Sequence, residues 1–354
     1  MTPFLEAAVE GNLGTIVLNR PAAINALDRG MIEGIASTLA AWRDDPQVRA
    51  VLFEGRGPRG FCSGGDVRAV RELVLADRRE EAEAFFAAEY AMNGMIANYR
   101  KPVVALSHGI VMGGGIGIAG HAGFRFTTPE ARFAMPEAGI GFVSDVGVNY
   151  ILAKALEPRA LAFLMSGLPV SGADALALGL ADCTIVAERM DEVRAGIVSA
   201  AAAGRVETAL VALMQAETIE PGPAVFCALA DRLADSFAAE TAGEIVAAVA
   251  AAAVEDAGFT TIAAVLRGRS PTSLEAIVQS HRMARRLQEV EPILALDLRL
   301  ARLLAGLPDF AEGVRAVLVD KDQMPRWQPA DFAEVPRAQI AAALAARQPS
   351  ISTS

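Results

Sequence analysis

The alternation of hydrophobic and polar positions changes character about halfway along the chain. In the first half, short β-branched runs such as Thr15–Leu18 and Val103–Leu106 alternate with helical stretches and glycine turns. After Met190, Ala, Leu, Arg and Glu recur at helical spacing and strand-type runs nearly vanish. The pattern predicts an α/β unit over residues 1–189 and a mainly helical region over residues 190–354.

Two glycine-rich segments each follow a strand-like run. Gly60–Asp66 comes after Val48–Phe53, and Gly113–Gly115 comes after a second apolar run. A strand that enters a helix through glycines leaves backbone N–H groups facing outward, and such donors stabilise negative charge that develops on oxygen. Two carboxylates, Glu137 and Asp145, follow further along the chain. This combination predicts a site that handles a carbonyl group.

The same glycines also match a dinucleotide-binding pattern. Gly115–Gly120 reads as G-x-G-x-x-G, and the acidic Glu137 follows 17 residues later. A dinucleotide fold is therefore an alternative hypothesis. The surrounding pattern disfavours it, because it predicts short turns and hairpin-like segments rather than a βαβ unit of ~30 residues. Glycines that only permit close helix packing are the structural alternative.

Length and composition set limits on the class of protein. A chain of 354 residues is expected to form about two packed units. Its longest apolar run, Ile245–Val254, is far shorter than the ~20 residues needed to cross a bilayer, so we expect a buried helix there and no membrane span. The final residues, 348–354, are expected to fray.

Charge and targeting signals narrow the function classes further. The formal net charge of −10 disfavours nucleic-acid binding, which requires clustered positive charge. The N-terminus has neither a basic region before an apolar stretch nor an Arg-rich amphipathic pattern, so a cytoplasmic location is expected.

Cysteine and histidine usage argues against metal chemistry. The three cysteines, Cys62, Cys183 and Cys227, are widely spaced and odd in number, so we interpret them as reduced core thiols rather than disulfides or metal ligands. The three histidines lack metal-ligand spacing, and neither a zinc site nor a Ser-His-Asp triad is expected.

Taken together, the motifs resemble the crotonase (enoyl-CoA hydratase/isomerase) superfamily. The N-terminal half carries the resemblance in Asn19–Pro21, Asn25–Leu27, Phe61–Asp66 and Met112–Gly117. Within the superfamily, the chain is similar over nearly its whole length to the 3-hydroxyisobutyryl-CoA hydrolases. Four further elements support this: Ser270–Leu274, Phe310–Ala316, Asp320–Asp322 and Trp327–Pro329. The resemblance implies a crotonase-like spiral of repeated ββα units, followed by helices that cover the site or make the subunit contacts of a homo-oligomer.

The resemblance also assigns roles to particular residues. The backbone N–H groups of Gly65 and Gly114 match the two donors of an oxyanion hole for the thioester oxygen. Glu137 matches a catalytic carboxylate that acts as nucleophile or general base, and Asp145 matches a second one that protonates the leaving thiolate or orients water. Glu89 matches a substrate-binding glutamate near the acyl 3-hydroxyl. Glu89, Gly114, Glu137 and Asp145 therefore form the implied substrate-binding set.

Each of these positions has a structural alternative. Gly65 and Gly114 are also common turn residues. The carboxylate of Glu137 suits a helix N-terminus, where it interacts favourably with the helix dipole. Ser144–Asp145 resembles a helix N-cap, which aspartate fills for purely structural reasons. Glu89 lies in a helical pattern, where a glutamate normally belongs to the solvated face.

Gly117 decides the expected reaction class. Enoyl-CoA hydratases usually place a second catalytic glutamate three residues after the oxyanion glycine, and this chain has no side chain at that position. Hydrolysis of a short branched 3-hydroxyacyl-CoA, such as 3-hydroxyisobutyryl-CoA in valine breakdown, is therefore the preferred interpretation. Val148 and Asn149 replace two glycines that are usual in the subfamily, so the shape of the acyl pocket and the identity of the acyl group stay open.

Two alternative functions are retained. A hydratase or isomerase would use Glu137 to move a proton at carbon, and a noncatalytic subunit would only bind acyl-CoA. No metal or redox cofactor is implied, because coenzyme A is part of the substrate. Binding this polyanion to an acidic protein requires local cations, and six basic residues flank the implied site: Arg20, Arg29, Arg68, Arg71, Arg100 and Lys101.

Overall fold

The fold is described from a computed structural model, which covers residues 2–345. The segment expected to fray, residues 348–354, lies outside the described residues. The strands are β1 (Leu5–Glu10), β2 (Leu13–Leu18), β3 (Ala50–Gly55), β4 (Gly60–Cys62), β5 (Val103–Leu106), β6 (Ile110–Met112), β7 (Phe124–Thr127), β8 (Arg132–Ala134) and β9 (Cys183–Thr184).

Helices fill most of the remaining chain. Those of the first half are α1 (Arg29–Trp42), α2 (Val67–Leu75), α3 (Arg79–Ala97), α4 (Gly114–Ala119), α5 (Val148–Leu152), α6 (Glu157–Ser166) and α7 (Gly172–Leu178). Those of the second half are α8 (Met190–Ala202), α9 (Val206–Glu217), α10 (Val225–Arg232), α11 (Ala234–Phe237), α12 (Ala242–Glu255), α13 (Thr260–Arg267), α14 (Pro271–Leu287), α15 (Val290–Ala305), α16 (Pro308–Val314) and α17 (Arg337–Ala345).

The strands form two sheets that the chain visits in turn. One sheet has the order β1-β2-β3-β5-β7-β9, and the other has the order β4-β6-β8. Apart from the antiparallel pair of β1 and β2, neighbouring strands in both sheets are parallel. From β3 onward, each of the pairs β3–β4, β5–β6 and β7–β8 therefore adds one strand to each sheet before a helix follows. This is the expected spiral of ββα units, and the α/β class with a helical C-terminal region is confirmed.

Alternate residues of the larger sheet face two different cores. On β3, Val51 and Phe53 belong to a large core shared with α1, α3 and the C-terminal helices, whereas Leu52 belongs to a smaller core on the opposite face. Val193 and Ile197 of α8 cover that opposite face. The period of two along a strand is what divides the apolar residues between the two faces.

The C-terminal helices pack onto the first half through a continuous core. Eleven residues of α14 are buried, and α14 begins at Pro271 after an N-cap in which the Ser270 hydroxyl accepts from the Ser273 N–H group. The apolar run Ile245–Val254 lies within α12, where only one face is buried and Val254 is 88% exposed. The expectation of a buried helix therefore holds for one face of α12 only, because most of the run is alanine, which is small enough to stay at the surface.

Within residues 2–345, no helix combines the length and the apolarity that crossing a bilayer requires.

The contact between the site region and α16 gives a testable packing constraint. Gly141 has φ +70°, and a Cβ on it would overlap the carbonyl of Asp309. Gly179 has φ +74° but open space around the Cβ position. We expect Gly141→Ala to lower the free energy of unfolding by at least ~3 kcal/mol, whereas Gly179→Ala pays only backbone strain of ~1–2 kcal/mol.

Urea denaturation of the two variants and the parent protein measures this difference. Equal losses of stability in both variants would mean that α16 is not seated against Gly141.

Candidate active site

Two unpaired backbone donors lie side by side at the predicted oxyanion positions. Gly65 follows β4, and Gly114 is the first residue of α4. The two loops are in contact, since a Cβ on Gly114 would lie 3.4 Å from the nitrogen of Gly65. Within residues 2–345, neither N–H group donates to a backbone carbonyl. Gly113, with φ +49°, provides the turn that brings α4 to this position.

Glu137 lies next to these donors. It is the first residue of a short 3-10 helix, Glu137–Ile140, and its side chain is buried. A Cβ on Gly113 would lie 3.0 Å from Glu137 Oε1, so the carboxyl group touches the turn that carries Gly114. Burial and the nearby charge of Asp145 raise the pKa of Glu137 well above its usual range.

Asp145 is held by a tyrosine and does not cap a helix. The Tyr90 hydroxyl donates to Asp145 Oδ2 at 2.5 Å, and both side chains are buried. Helix α5 begins at Val148 with Gly147 at its N-cap and no side-chain capping bond, so the N-cap interpretation of Asp145 was wrong. Burial raises the pKa of Asp145 to about 7, although the hydrogen bond from Tyr90 opposes this shift.

Glu89 belongs to the site and not to a solvated helix face. It is 3% exposed, and its carboxyl group lies against Gly114, where an added Cβ would overlap Oε1. Oε2 would lie 3.5 Å from a Cβ on Gly65. Burial, and then the charge of Asp145, raise the pKa of Glu89 to about 8. The structure therefore brings together all five residues predicted for the site.

A fourth buried carboxyl group, Asp297 of α15, was missed by the sequence analysis. Its Oδ2 accepts from the Gly147 N–H group at 2.8 Å, and burial followed by the charge of Asp145 raises its pKa. His121 Nε2 lies 2.8 Å from the carbonyl oxygen of Val146. Asp297 and His121 thus fix the loop next to Asp145 from two sides.

No sequence signal connected these partners to the site. Asp297 is remote along the chain, and Val146 adopts φ +53°, a conformation that β-branched residues avoid. Tyr90 follows Glu89 directly in the sequence, but no motif assigns it a role. Its role follows from helical geometry, which puts Tyr90 and Glu89 on adjacent faces of α3, so that both reach the site.

Gly117 has no room for the second hydratase carboxylate. A Cβ there would lie 2.8 Å from the Cβ of Val146 and 2.7 Å from Nδ2 of Asn93. Even alanine would require these neighbours to move. The space that a glutamate side chain would need at position 117 is therefore filled by Val146 and Asn93.

The two residues that replace subfamily glycines are buried in the core. Val148 is fully buried, and Asn149 Oδ1 accepts from His281 Nδ1 of α14 at 2.9 Å. Burial lowers the pKa of His281 to about 4, so the ring is neutral. Asn149 thus joins α5 to α14.

Most of the flanking cations already have partners within the protein. Arg20 pairs with Asp66, and Arg29 pairs with Glu33. Three others donate to main-chain oxygens: Arg68 to Leu318, Arg71 to Ala311, and Lys101 to both Trp42 and Asp45. Arg100 is exposed. Arg68 and Arg71 therefore tie α2 to the C-terminal region.

The remaining sequence motifs have structural explanations. The three cysteines are free and buried, as predicted. Gly115–Gly120 provides close packing, because a Cβ on Gly115 would lie 2.6 Å from the carbonyl oxygen of Cys62. Across the described part of the chain, no cluster of three His, Cys, Asp or Glu side chains is placed to hold a metal ion.

Comparisons with known proteins agree with this geometry. The profile of the family described as enoyl-CoA hydratase/isomerase matches residues 13–344. The chain belongs to that family. It is 33% identical over 331 residues to the mitochondrial 3-hydroxyisobutyryl-CoA hydrolase of Homo sapiens, covering 92% of this chain and 84% of the relative. The corresponding protein of Danio rerio is 34% identical over 330 residues, covering 92% and 85%. The predicted resemblance, and with it the prediction of an enzyme, is confirmed.

Solved structures of similar proteins share the whole fold. A carnitinyl-CoA dehydratase from Mycobacterium thermoresistibile is 37% identical, covers 98% of both chains and superposes with a TM-score of 0.89. An enoyl-CoA hydratase from Rhodobacter sphaeroides is 30% identical, covers 97% of both chains and has a TM-score of 0.86. The C-terminal helices are thus part of a fold that these proteins have in common.

The buried carboxyl groups predict how stability depends on pH. Burial raises the pKa of Glu89 from 4.5 to about 8. Between these two pH values, the folded state keeps a proton that the unfolded state has already released. The free energy of unfolding therefore falls as pH rises from about 4.5 to about 8. We expect Glu89→Gln to weaken this decline, because glutamine does not titrate.

Melting temperatures measured between pH 5 and pH 9 test this expectation. Glu80→Gln, which changes an exposed glutamate of the same helix, is the matched control and is expected to follow the parent protein. An identical decline in both variants would contradict the burial of an ionisable Glu89.

Proposed function

We propose that the protein hydrolyses the thioester of a short branched 3-hydroxyacyl-CoA, with 3-hydroxyisobutyryl-CoA as the preferred substrate. One observation carries the proposal. Glu137 lies against the turn that presents the unpaired Gly114 N–H group, whereas Gly117, the position of the second hydratase carboxylate, is filled by its neighbours. The site thus has the carboxyl groups of Glu137 and Glu89 beside the proposed carbonyl-binding position, but none at the position of the second hydratase carboxylate.

The thioester oxygen is held by the N–H groups of Gly65 and Gly114. Each such donor typically lowers the barrier by ~2.7–4 kcal/mol, because it is already oriented toward the charge that develops on oxygen. Glu137 then acts at the activated carbon. As a nucleophile it displaces the CoA thiolate and forms a mixed anhydride that water then hydrolyses. As a base it takes a proton from the water that attacks the thioester carbon, and the CoA thiolate leaves. Both routes use the carboxylate form of Glu137 and the same contact with the oxyanion turn.

Asp145 supplies the proton that the leaving thiolate needs. A group with a pKa of about 7 both holds and releases a proton near neutral pH, which suits general acid catalysis. Tyr90 orients the carboxyl group, and Asp297 fixes the following loop through Gly147. These two hydrogen bonds hold the carboxyl group of Asp145 and the loop after it in place.

A hydratase or dehydratase activity is the second candidate. It is favoured by the similarity to a carnitinyl-CoA dehydratase and an enoyl-CoA hydratase. Gly117 counts against it, because the paired acid and base at the double bond would need a side chain there. A noncatalytic subunit is a weaker candidate, since Glu89, Glu137 and Asp145 would then be buried at a cost in stability and without use.

The cellular setting stays a prediction. A role in valine catabolism, a cytoplasmic location, homo-oligomerisation and independence from metal or redox cofactors are all proposed from the sequence. The human and zebrafish relatives are named as mitochondrial proteins. The proposed ligand is an acyl-CoA, and neither nucleic acid nor membrane is proposed as a partner.

The reaction class is tested with a panel of acyl-CoA substrates. We expect 3-hydroxyisobutyryl-CoA to release free thiol in equal amount to acid product, and crotonyl-CoA to show little loss of enoyl absorbance. The physical reason is that Gly65 and Gly114 polarise either thioester, whereas only Glu137 of the two hydratase carboxylates is present. Rapid hydration of crotonyl-CoA without thiol release would overturn the hydrolase proposal in favour of the second candidate.

The role of Glu137 is tested by Glu137→Gln, which is nearly isosteric but neither basic nor nucleophilic. We expect kcat to fall at least ~100-fold, while calorimetric binding of the CoA thioester stays within a few fold of the parent value. Glu130→Gln, at an exposed position, is the control and should leave both quantities unchanged. Parent-like turnover in Glu137→Gln would remove this residue from the mechanism.

A further inference from the structure

Helix α3 presents a second polar side chain to the site, one helical turn beyond Glu89. Asn93 is fully buried, and its amide group faces Gly117 of α4, where an added Cβ would lie 2.7 Å from Nδ2 and 3.2 Å from Cγ. Glu89 faces Gly114 in the same way. Residues four apart on α3 therefore pack against glycines three apart on α4. Each glycine makes room for one polar side chain.

The amide group of Asn93 has no partner within the protein. Neither Nδ2 nor Oδ1 forms a hydrogen bond with any described residue. Burying an amide without partners costs ~1–3 kcal/mol, so buried polar groups of this kind call for an explanation. Oε1 of Glu89 and Oε2 of Glu137 are unpaired in the same way. The side chains that carry these unpaired polar atoms thus lie against Gly113, Gly114 and Gly117 at the start of α4.

The spacing along α4 relates Asn93 to a particular part of the substrate. Gly117 lies about 4.5 Å beyond Gly114 along the helix, because the rise is 1.5 Å per residue. When the thioester oxygen is held at Gly114, an acyl chain that runs along α4 brings its third carbon level with the Asn93 amide. A hydroxyl group on that carbon both donates and accepts, which matches the NH₂ and oxygen of the amide.

An amide also suits the charge of its surroundings. Glu89, Glu137 and Asp145 are already buried together, and burial followed by the charge of Asp145 raises the pKa of the other two. A further carboxylate at position 93 would add like charge to this group. Asparagine supplies hydrogen-bond donors and an acceptor without charge, so it can bind a hydroxyl group and leave the ionisation of the catalytic groups unaltered.

We propose that Asn93 is a substrate-binding residue that selects acyl-CoA thioesters with a hydroxyl group on the third carbon. The proposal rests on the function proposed above and adds the group that recognises the substrate. A thioester that lacks the hydroxyl leaves the buried amide unpaired, and sites built to bind a hydroxyl group reject such analogues strongly. Selectivity therefore comes from α3, whereas the chemistry comes from Gly65, Gly114 and Glu137.

The test compares 3-hydroxyisobutyryl-CoA with isobutyryl-CoA, which differ by this hydroxyl group alone. We expect the parent protein to prefer the hydroxylated thioester at least ~100-fold in kcat/KM, measured by thiol release. Asn93→Leu, similar in shape but without polar atoms, should reduce this preference at least ~10-fold, chiefly by slowing the hydroxylated substrate. Asn98→Leu, which changes the exposed asparagine at the C-cap of α3, is the control and should keep the parent preference.

The outcomes separate the two proposals. Equal kcat/KM values for both thioesters in the parent protein, or an unchanged preference in Asn93→Leu, would overturn the role of Asn93 and leave the hydrolase proposal standing. If Asn93→Leu does not fold, Asn93→Ala replaces it in the same comparison. If the parent protein releases no thiol, the hydrolase proposal fails. Calorimetric affinities of both thioesters for the parent and Asn93→Ala then decide the recognition role alone.

Discussion

The close approach of α4 to its neighbours is the constraint on which the site depends. A side chain on Gly115 would collide with the carbonyl of Cys62, and one on Gly114 would collide with Glu89. Because these positions are glycine, the loop after β4, the start of α4 and the inner face of α3 can meet. The same approach brings the two backbone donors together and leaves no room at Gly117 for another carboxylate.

Around this contact, the protein buries four carboxyl groups, and burial disfavours the charged form of each. Burial is the largest cause of the raised pKa values of Glu89, Glu137, Asp145 and Asp297. Such an arrangement is costly in a folded protein unless hydrogen bonds hold it, and Tyr90 and the Gly147 N–H group provide two of them. Burial thus lowers the stability of the folded protein and brings the pKa values of Glu89 and Asp145 near neutral pH, as is typical of functional sites.

The C-terminal helices cover the site and also supply residues that hold the loop carrying Asp145. Asp297 of α15 holds the Gly147 N–H group, and Ser270 at the start of α14 donates to Asp309 of α16. A side chain on Gly141 or Gly313 would collide across the junction with α16. The loop that carries Asp145 is therefore shaped by residues more than 100 positions later in the chain.

The sequence by itself determined the glycine loops, Glu137 and Asp145 as candidate catalytic carboxyl groups, Glu89 as a substrate-binding candidate and the change from α/β to helical architecture. These depend on local spacing and on a motif resemblance that covers most of the chain. Only the tertiary structure decided that Asp145 is held by Tyr90 instead of capping a helix, that Glu89 is buried, and that Asp297 and Asn93 reach the site. Such contacts join distant segments, and a side chain's partners and solvation follow from packing, which local sequence does not encode.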